Sequence, residues 1–355
     1  TMITVDKRKL KVMYIGLERS PAMKENKCLQ YKVAAVHAAP VYLDLEKTTE
    51  KACRLIAEAG EKGAKLVAFP ESFIPGYPYW IWTHTTREGG AFYFDFSKNA
   101  VEIPSDTTEK LCDAARKAGI FVVMGMTEKD GYTLYNTLLY INDNGQIIGK
   151  HRKLQPTMSE RVVWGRGDGA DLDVFDTEIG KLSGLICWEH TMDLARYALE
   201  TEGEQIHISA WPGISAVTND PNCEIFNAVA EVACRHHALV AQAFVISTFT
   251  PVDEYTVERL GLVGREEMIT TGGGATSIFG PNGQFIAGPV TGADDQILYA
   301  DIDLDQIIYC KMACDSIGHY ARPDVLQLKI NRKKQVIAEN IYDDAPVEEG
   351  NGDVL

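Results

Sequence analysis

The sequence predicts an α/β protein in which β-strands and α-helices form stacked layers. Short apolar segments with the length of strands alternate with amphipathic segments of helical period. Turn sequences at residues 130–132 and 142–146 interrupt this alternation with hairpins, which indicates mixed rather than purely parallel sheets. No linker-like stretch divides the interior of the 355-residue chain, so we expect one domain there.

The first half of the chain carries two clear helical patterns. One places Ala52, Leu55, Ile56 and Ala59 on a single face, and the other begins at Ser105, a good N-cap residue. Residues 75–82, PGYPYWIW, are predicted to form an aromatic loop. The predicted helices are 45–60 and 105–119, and the predicted strands are 31–37, 65–69, 120–128, 132–141 and 145–153.

In the second half, a strand at 182–186 leads into Cys187 and then into an amphipathic helix. We predict Thr191 as the N-cap of this helix. Its apolar face would carry Leu194, Ala195, Ala198 and Leu199, with Arg196 and Glu200 on the polar face. The remaining predicted elements are strands at 204–212 and 238–247, a helix at 224–236, two short strands within 274–290, a strand at 297–303 and a helix through Met312.

Composition limits the classes of function. The net charge of −15 argues against nucleic acid or an anionic membrane as the main partner, and no apolar run reaches the ~18 residues of a membrane span. The eight cysteines show no metal-binding or disulfide spacing, so we predict a cytoplasmic protein with reduced thiols.

The two ends of the chain differ from its interior. Residues 1–27 are predicted to be a leader or flexible arm, either native or introduced for expression. Residues 28–334 would form the folded domain. Residues 335–355 are acidic, without Lys or Arg, and are predicted to be a disordered tail.

Three polar residues stand where apolar strands end: Glu71, Lys153 and Cys187. If those strand ends converge, a carboxylate, an ammonium and a thiol meet at one place. Such a group can perform acyl transfer through sulfur, with Glu71 as the base and Lys153 and the Trp188 N–H stabilising developing charge. Glu160 could orient the lysine or position water. The helix after Cys187 would also favour the thiolate.

The segments around these residues resemble the nitrilase branch of the carbon–nitrogen hydrolase superfamily. The matching segments are FPESFIPGYPYW, KHRKLQPTMSERVVWGRGDG, LICWEH, EQIHISAWPG and GHYARPDVL, which together span roughly residues 32–331. The resemblance implies a four-layer αββα sandwich of two mixed β-sheets flanked by helices. It also implies a catalytic Glu71, Lys153 and Cys187 with an additional Glu160, and no metal or cofactor.

The same resemblance implies how the chain reacts and assembles. Cys187 would attack a nitrile carbon to give a thioimidate, and water would release ammonia and then the carboxylic acid through a thioester. Family members pair through a helical face, so a homodimer that builds larger homo-oligomers, spirals or filaments is expected.

Nitriles are favoured over amides as substrates because Cys187-Trp188-Glu189 resembles nitrilases, whereas many amidases have Cys-Tyr-Asp. Tyr77, Trp188, His190 and Trp211 are candidates for substrate binding. The alternatives are an amidase, a cyanide-degrading member of the superfamily, and a filament-forming structural protein. The particular nitrile stays open.

Two histidine patterns point elsewhere. His190 lies three residues after Cys187 and could suggest a cysteine protease pair, but the flanking signatures of such proteases are missing from the sequence. His236 and His237 are adjacent on a predicted helix and point about 100° apart, so they cannot jointly bind a metal. We interpret them as core or interface residues.

Overall fold

The computed structural model describes residues 29–338. The prediction for residues 1–27 therefore lies outside the described part of the chain. The predicted tail lies outside it from residue 339 onward, and residues 335–338 carry no helix or strand. No helix within the described residues is both long and apolar enough to cross a bilayer.

Twelve β-strands lie within residues 29–338. They are β1 (Gln30–His37), β2 (Ala64–Ala68), β3 (Phe121–Asp130), β4 (Thr133–Ile141), β5 (Ile147–Arg152), β6 (Phe175–Thr177), β7 (Gly180–Ile186), β8 (Ile206–Pro212), β9 (Phe244–Thr250), β10 (Thr276–Phe279), β11 (Phe285–Val290) and β12 (Gln296–Asp303).

Nine α-helices lie in the same range. They are α1 (Leu45–Glu61), α2 (Trp80–Thr83), α3 (Thr86–Lys98), α4 (Asp106–Ala118), α5 (Asp193–Thr201), α6 (Pro221–Glu224), α7 (Phe226–Ala241), α8 (Glu254–Arg259) and α9 (Asp305–Ala313).

The strands form two six-stranded sheets that are joined at one point. The first sheet has the order β5-β4-β3-β2-β1-β12, and the second has the order β6-β7-β8-β9-β10-β11. Both contain parallel pairs at the centre and antiparallel pairs at the edges. The single pairing of His37 with Phe249 links them. The prediction of mixed sheets is confirmed.

Side chains alternate between the two faces of each strand, and this alternation builds the layers. On the inner face of the first sheet, Val33, Leu66 and Val123 share one buried cluster with Leu182 and Ile208 of the second sheet. The two sheets therefore pack face to face.

Helices cover both outer faces. Ala34 and Val67 point away from the second sheet and pack with Ile56 of α1 and Leu111 of α4. On the opposite side, Leu199 of α5 packs with β7, and α7 lies against β9. The αββα sandwich expected from the sequence is confirmed.

The helix after Cys187 differs from its prediction. Residues Cys187–Thr191 form a 3₁₀ turn, and α5 begins only at Asp193 with Met192 as its N-cap, so the prediction of Thr191 as N-cap is wrong. Leu194 is 69% exposed, while Arg196 and Glu200 are buried. The extra turn changes which residues face the sheet.

Two further boundaries depend on local signals. The apolar run at 238–247, predicted as one strand, contains the end of α7 and the start of β9. Helix α7 continues to Ala241 and ends at Gln242, which has a left-handed φ of 52°. Apolar runs alone do not separate a helix end from a strand. Helix α3 was not predicted from its periodicity, although its capping box between Thr85 and Glu88 is a recognisable start signal.

Candidate active site

The four side chains that the sequence singles out for catalysis lie together between the sheets. Lys153 directly follows β5, Cys187 directly follows β7, and Glu71 lies three residues beyond β2. The Lys153 Nζ atom is 2.9 Å from Glu71 Oε1 and 2.7 Å from Glu160 Oε2. The Cys187 sulfur and the two carboxylates lie within 4.8 Å of one another. All four residues are at most 1% exposed.

Glu71 is held in place from two directions. Asn136 on β4 donates a hydrogen bond of 2.6 Å from Nδ2 to Glu71 Oε1. The chain just before Glu71 crosses Gly125 of β3 so closely that a Cβ there would be 1.9 Å from the Pro70 carbonyl oxygen. Glycine at position 125 therefore allows the loop that carries Glu71 to lie against the sheet.

The second carboxylate oxygen of Glu71 is buried and accepts no hydrogen bond in the described part of the chain. Burial raises the pKa of Glu71 to about 7, and Glu160 adds to this shift while Lys153 opposes it. A carboxylate with a free oxygen and a pKa near neutrality can accept and return a proton at ordinary pH.

Glu160 lies in the 3₁₀ turn Met158–Val162 and holds the other side of Lys153. It accepts hydrogen bonds from the Tyr77 hydroxyl at 2.8 Å and from the Thr157 backbone N–H at 2.7 Å. Burial alone would lower the pKa of Lys153, but Glu160 and Glu71 outweigh it and raise the pKa well above its ordinary value. Lys153 is therefore a fixed ammonium.

Cys187 has a left-handed backbone, with φ of 56°, at the sharp turn that follows β7. Non-glycine residues adopt this conformation at a cost of roughly 1–3 kcal/mol. Burial raises the pKa of the Cys187 thiol well above its ordinary value, Glu71 adds to the shift, and Lys153 opposes it. The expectation that a helix N-terminus favours the thiolate is corrected, since α5 starts six residues later and burial dominates.

Glu189 joins the turns that carry Lys153 and Cys187. Its carboxylate accepts hydrogen bonds of 2.7 Å from the backbone N–H groups of Leu154 and Ile186, the immediate neighbours of those two residues. His151 completes the set with its Nε2 atom 3.0 Å from Glu189. Glu189 therefore fixes the distance between the ends of β5 and β7.

A cavity of about 50 Å³ opens beside Cys187 and Glu160. Tyr77 and Trp188, two of the predicted substrate-binding residues, line it. The described residues that line the rest are Trp82, Thr157, Met158, Ile214, Asp220, Asn222, Cys223 and Phe226.

The other two candidates for substrate binding lie behind the nucleophile instead. His190 and Trp211 are at most 1% exposed and do not line this cavity. Their rings stack on each other with centroids 5.0 Å apart. His190 Nδ1 lies 2.8 Å from the Cys187 carbonyl oxygen, so the contact of His190 is with the backbone of the nucleophile.

Two groups of described side chains bring potential metal ligands together. The first is Glu71, Glu160 and Cys187, where the ammonium of Lys153 already occupies the position of a cation between the carboxylates. The second is Glu204, His207 and His237, whose ligand atoms contact one another at hydrogen-bonding distance. Neither arrangement needs a metal to account for its charge.

A buried thiol, a nearby carboxylate with a free oxygen and a fixed ammonium are the groups that a hydrolase with a cysteine nucleophile needs. The comparisons with known proteins agree with this class. The sequence profile of the carbon–nitrogen hydrolase family matches residues 32–312, and the chain belongs to this family. The protein is therefore a hydrolase that acts on carbon–nitrogen bonds.

Named relatives cover most of the chain. It is 43% identical over 312 residues to an aliphatic nitrilase of Rhodococcus rhodochrous, which covers 85% of this chain and 83% of the relative. It is 41% identical over 318 residues to a nitrilase of Bacillus sp. (strain OxB-1), with 89% and 92% covered. The structure of a carbon–nitrogen hydrolase from Helicobacter pylori G27 shares the fold, with a TM-score of 0.68, 20% identity and coverage of 83% and 96%.

Several residues at the site were not found from the sequence. Asn136 lies in the middle of a strand pattern, where nothing marks a polar contact to Glu71. Glu189 was used only to separate nitrilases from amidases, although it also positions two turns. A buried Glu so close to the nucleophile is a signal that could have identified this structural role.

Proposed function

We propose that this protein is a nitrilase that converts a nitrile to the carboxylic acid and ammonia. The observation that carries the proposal is the enclosed group of Glu71, Lys153 and Cys187, in a chain that is 43% identical to a named nitrilase. In this proposal Cys187 is the nucleophile, Glu71 is the general base, and Lys153 stabilises charge. Glu160 holds Lys153 in position.

The first stage forms a bond between sulfur and the nitrile carbon. Glu71 accepts the thiol proton as the Cys187 sulfur attacks, and one π-electron pair of the C≡N bond moves to nitrogen. Lys153 and the Trp188 N–H stabilise the charge that develops there. Glu71 then returns the proton to nitrogen, which leaves a neutral thioimidate.

Two water molecules complete the reaction. Glu71 takes a proton from the first water as its oxygen adds to the thioimidate carbon, and it passes protons to nitrogen until ammonia leaves and a thioester remains. The second water, activated in the same way, releases the carboxylic acid and restores the Cys187 thiol. If the tetrahedral intermediate expels sulfur instead of ammonia, the product is an amide.

A panel of nitriles and their matching amides tests this function. Ammonia and acid should be released from at least one aliphatic, arylacetonitrile or cyanide substrate, and Cys187→Ala should abolish release while the protein stays folded. Release from amides alone would replace the proposal with an amidase. Turnover of no substrate, together with filaments seen by electron microscopy, would favour a structural protein.

We further propose that a second copy of this chain covers the groove between α5 and α7. One wall of this groove of about 510 Å³ carries apolar side chains, including Ile225, which is 57% exposed, and Val232, which is 70% exposed. Polar and charged side chains, among them Asp193 and Arg196, line the rest. Apolar patches of this kind are commonly interfaces. Larger assemblies would grow from such a dimer.

Light scattering coupled to gel filtration measures the assembly directly. We expect at least a dimer, and Val232→Asp should lower the mass, whereas Val263→Asp, at a site that is 72% exposed elsewhere, should not. A monomeric wild-type protein at micromolar concentration would contradict the proposal. The cytoplasmic location stays a prediction.

A further inference from the structure

A chain of buried polar groups runs from the back of the nucleophile into the second sheet. His190 Nδ1 lies 2.8 Å from the Cys187 carbonyl oxygen, and His190 Nε2 lies 3.0 Å from His207 Nε2. His207 Nδ1 then lies 2.9 Å from Glu204 Oε2. His190, His207 and Glu204 are at most 2% exposed. We call this chain the back network.

The number of protons in the back network follows from its geometry. The carbonyl oxygen at one end can only accept a hydrogen bond, and so can an ionised carboxylate at the other end. Three contacts between them require three protons, but two neutral imidazoles carry only two. With two neutral rings, one contact would place two lone pairs 2.8–3.0 Å apart. The two rings and Glu204 must therefore together hold one proton more than two neutral rings and a carboxylate would.

Other contacts favour placing that proton on the rings rather than on Glu204. Ser183 donates a short hydrogen bond from its hydroxyl to Glu204 Oε2, and His237 Nε2 lies 2.7 Å from Glu204 Oε1. His237 Nε2 and Glu204 Oε1 are close, but they are not aligned for a hydrogen bond. The donated hydrogen bond from Ser183 and the neighbouring imidazole rings favour the ionised form of Glu204. Burial raises the pKa of Glu204, but His237 and His207 outweigh it and the pKa falls well below the ordinary value.

Burial opposes a charged ring in this place. It lowers the pKa of His207 to about 4, with His237 adding to the shift and Glu204 opposing it. The hydrogen bonds offset the cost of burying a charged ring, because the extra proton gives each of the three contacts a donor. The positive charge of the ring pair and the negative charge of Glu204 then cancel. Such a pair forms charge-assisted hydrogen bonds, which are roughly twice as strong as neutral ones.

The surroundings contribute charges from several elements. These groups are His237 on α7, Arg196 and Glu200 on α5, and Tyr140 on β4. Arg196 is itself paired with Asp193 and lies 2.7 Å from His236 Nδ1. His237 also contacts the ring pair, with its ring centroid 4.0 Å from that of His207. The carboxylate of Glu204 is the negatively charged group at hydrogen-bonding distance from the pair.

The back network reaches the reacting centre through one peptide group. The carbonyl of Cys187 and the N–H of Trp188 belong to the same peptide unit. The Trp188 N–H points toward the Cys187 sulfur, where it acts to lower the pKa of the thiol. A strong donor on the carbonyl polarises the peptide and makes its N–H a stronger donor, because linked hydrogen bonds reinforce one another.

We propose that His190, His207 and Glu204 act as positioning residues that hold one imidazolium–carboxylate pair behind Cys187. This pair fixes the left-handed turn and strengthens the Trp188 N–H as a donor to the nitrogen that becomes charged during attack. Its effect on rate rests on the proposed nitrilase function, whereas its protonation state does not.

Nuclear magnetic resonance of protein labelled with ¹⁵N at histidine tests the protonation state without any substrate. The chain has eight histidines. His151 provides an internal reference, because its two ring nitrogens face the Asp171 carbonyl and the Glu189 carboxylate and both must donate. At about pH 8.5, roughly two units above the ordinary pKa of histidine, exposed rings are neutral. Single His→Asn variants assign the signals.

We expect two imidazolium signals at that pH, one from His151 and one shared by His190 and His207. In Glu204→Gln the second signal should vanish and that of His151 should stay. The glutamine amide can donate to His207 Nδ1, so two neutral rings then satisfy all three contacts and the fold is preserved. Neutral rings at both 190 and 207 in the wild-type protein would overturn the proposal.

Kinetics test the consequence for the reaction. Glu204→Gln should lower kcat about tenfold with KM nearly unchanged, since one donor to developing charge is typically worth 10²–10³-fold and here it is only weakened. His190→Asn, which can still donate to the Cys187 carbonyl but loses His207, should fall by a similar factor. His236→Asn is the matched control on the exposed neighbouring histidine and should retain wild-type kcat.

The resonance and kinetic experiments together distinguish a failure of this inference from a failure of the proposed nitrilase function. If the enzyme hydrolyses amides rather than nitriles, the same kcat ratios are measured on the amide. If no substrate is turned over, the imidazolium signal alone decides whether the pair exists. Wild-type kcat in both Glu204→Gln and His190→Asn would contradict the polarising role even if the signal is present.

Discussion

The two sides of Cys187 contain buried charges that are arranged in opposite ways. In front of it, Glu71, Lys153 and Glu160 bring two carboxylates to one ammonium, and one Glu71 oxygen has no hydrogen-bond partner in the described chain. Behind it, His190, His207 and Glu204 form a continuous set of contacts.

This difference shows which side can exchange protons with a substrate. In the front group, Glu71 has an oxygen without a hydrogen-bond partner among the described residues and lies close to Cys187, which lines the cavity. Its carboxyl pKa is near neutrality, so it can pass a proton repeatedly. The back network does not line the cavity at Cys187; His190 instead borders the groove between α5 and α7, and the network holds the turn after β7 in one geometry. Changes at the front should therefore affect chemistry more strongly than stability, and changes in supporting residues should affect both.

The largest effect is expected from Lys153→Arg. The Nζ atom is enclosed between two carboxylates at 2.9 and 2.7 Å, and a broad planar guanidinium cannot take its place. We expect kcat/KM to fall by about 10²–10³-fold, in the range seen when one electrostatic stabilising group is removed. Steady-state ammonia release measures this loss.

Lys150→Arg is the matched control for that substitution. Lys150 lies on β5, the strand that ends just before Lys153, and pairs with Glu128 at a partly exposed position. Its kcat/KM should stay within about twofold of wild type, as expected for a surface ion pair. Equal losses in both variants would show that the front group has no special role.

The pH dependence of kcat/KM should follow the ionisation of Glu71. Because burial raises its pKa to about 7, the base is protonated and inactive below that pH. We expect kcat/KM to rise tenfold per pH unit below about 7 and then to level off. A rate profile measured at constant ionic strength gives this midpoint, and a midpoint near 4.5 would remove Glu71 as the base.

The same shift predicts the direction of a change in stability. The folded state holds the Glu71 proton up to about pH 7, whereas the unfolded chain releases it near its ordinary value of 4.5. The contribution of Glu71 to stability is therefore complete below about 4.5 and is lost as the pH rises toward 7. Glu71→Gln should remove this part of the pH dependence in urea unfolding.

The groups in front of Cys187 could be predicted from the sequence, whereas the back network behind it could not. Glu71, Lys153 and Cys187 could be found because each stands at or just beyond the end of an apolar strand, and these strand ends meet between the two sheets. The back network could not be found, since His190, His207 and Glu204 are neighbours only once the order β7-β8-β9 is known.

The fold shows the same limit. Strands and amphipathic helices follow from periodicity, which is local. The turn Cys187–Thr191 is held by tertiary contacts of Glu189 with His151 and of His190 with His207, which the sequence does not reveal. The start of α5 and the exposure of Leu194, Arg196 and Glu200 were therefore predicted incorrectly, whereas Ala195, Ala198 and Leu199 are buried as predicted. The interpretation of His237 as a core residue is confirmed by its complete burial, while its neighbour His236 is exposed.

A moderate effect on both stability and activity is expected from Glu189→Gln. The carboxylate accepts from two backbone N–H groups and from His151, and an amide cannot accept all three bonds. The free energy of unfolding should fall by about 2–3 kcal/mol, since hydrogen bonds to charged groups contribute ~1.5–3 kcal/mol each. Urea unfolding measures it, with exposed Glu178→Gln as the control, and an unchanged midpoint would contradict the bridging role.

The smallest effect is expected from Tyr77→Phe. The variant loses the hydroxyl that donates to Glu160 Oε1 and accepts from Trp82 Nε1, while its ring keeps its place on the cavity wall. A hydrogen bond to a charged group is worth ~1.5–3 kcal/mol, but Glu160 keeps its contacts with Lys153 and the Thr157 N–H. We therefore expect kcat to fall only about fivefold, which corresponds to about 1 kcal/mol. Tyr132→Phe, at a position that is 95% exposed, should be unchanged. A loss as large as that of Lys153→Arg would mean that Tyr77 takes part in the chemistry itself.

The central claim is that Cys187 forms a covalent bond to the substrate carbon. Mass spectrometry of protein quenched in acid during turnover of a nitrile tests this directly. The account predicts an added acyl or imidoyl mass on the peptide that contains Cys187, and none in Cys187→Ala. An adduct on any other cysteine, or ammonia release at the wild-type rate from Cys187→Ala, would contradict it.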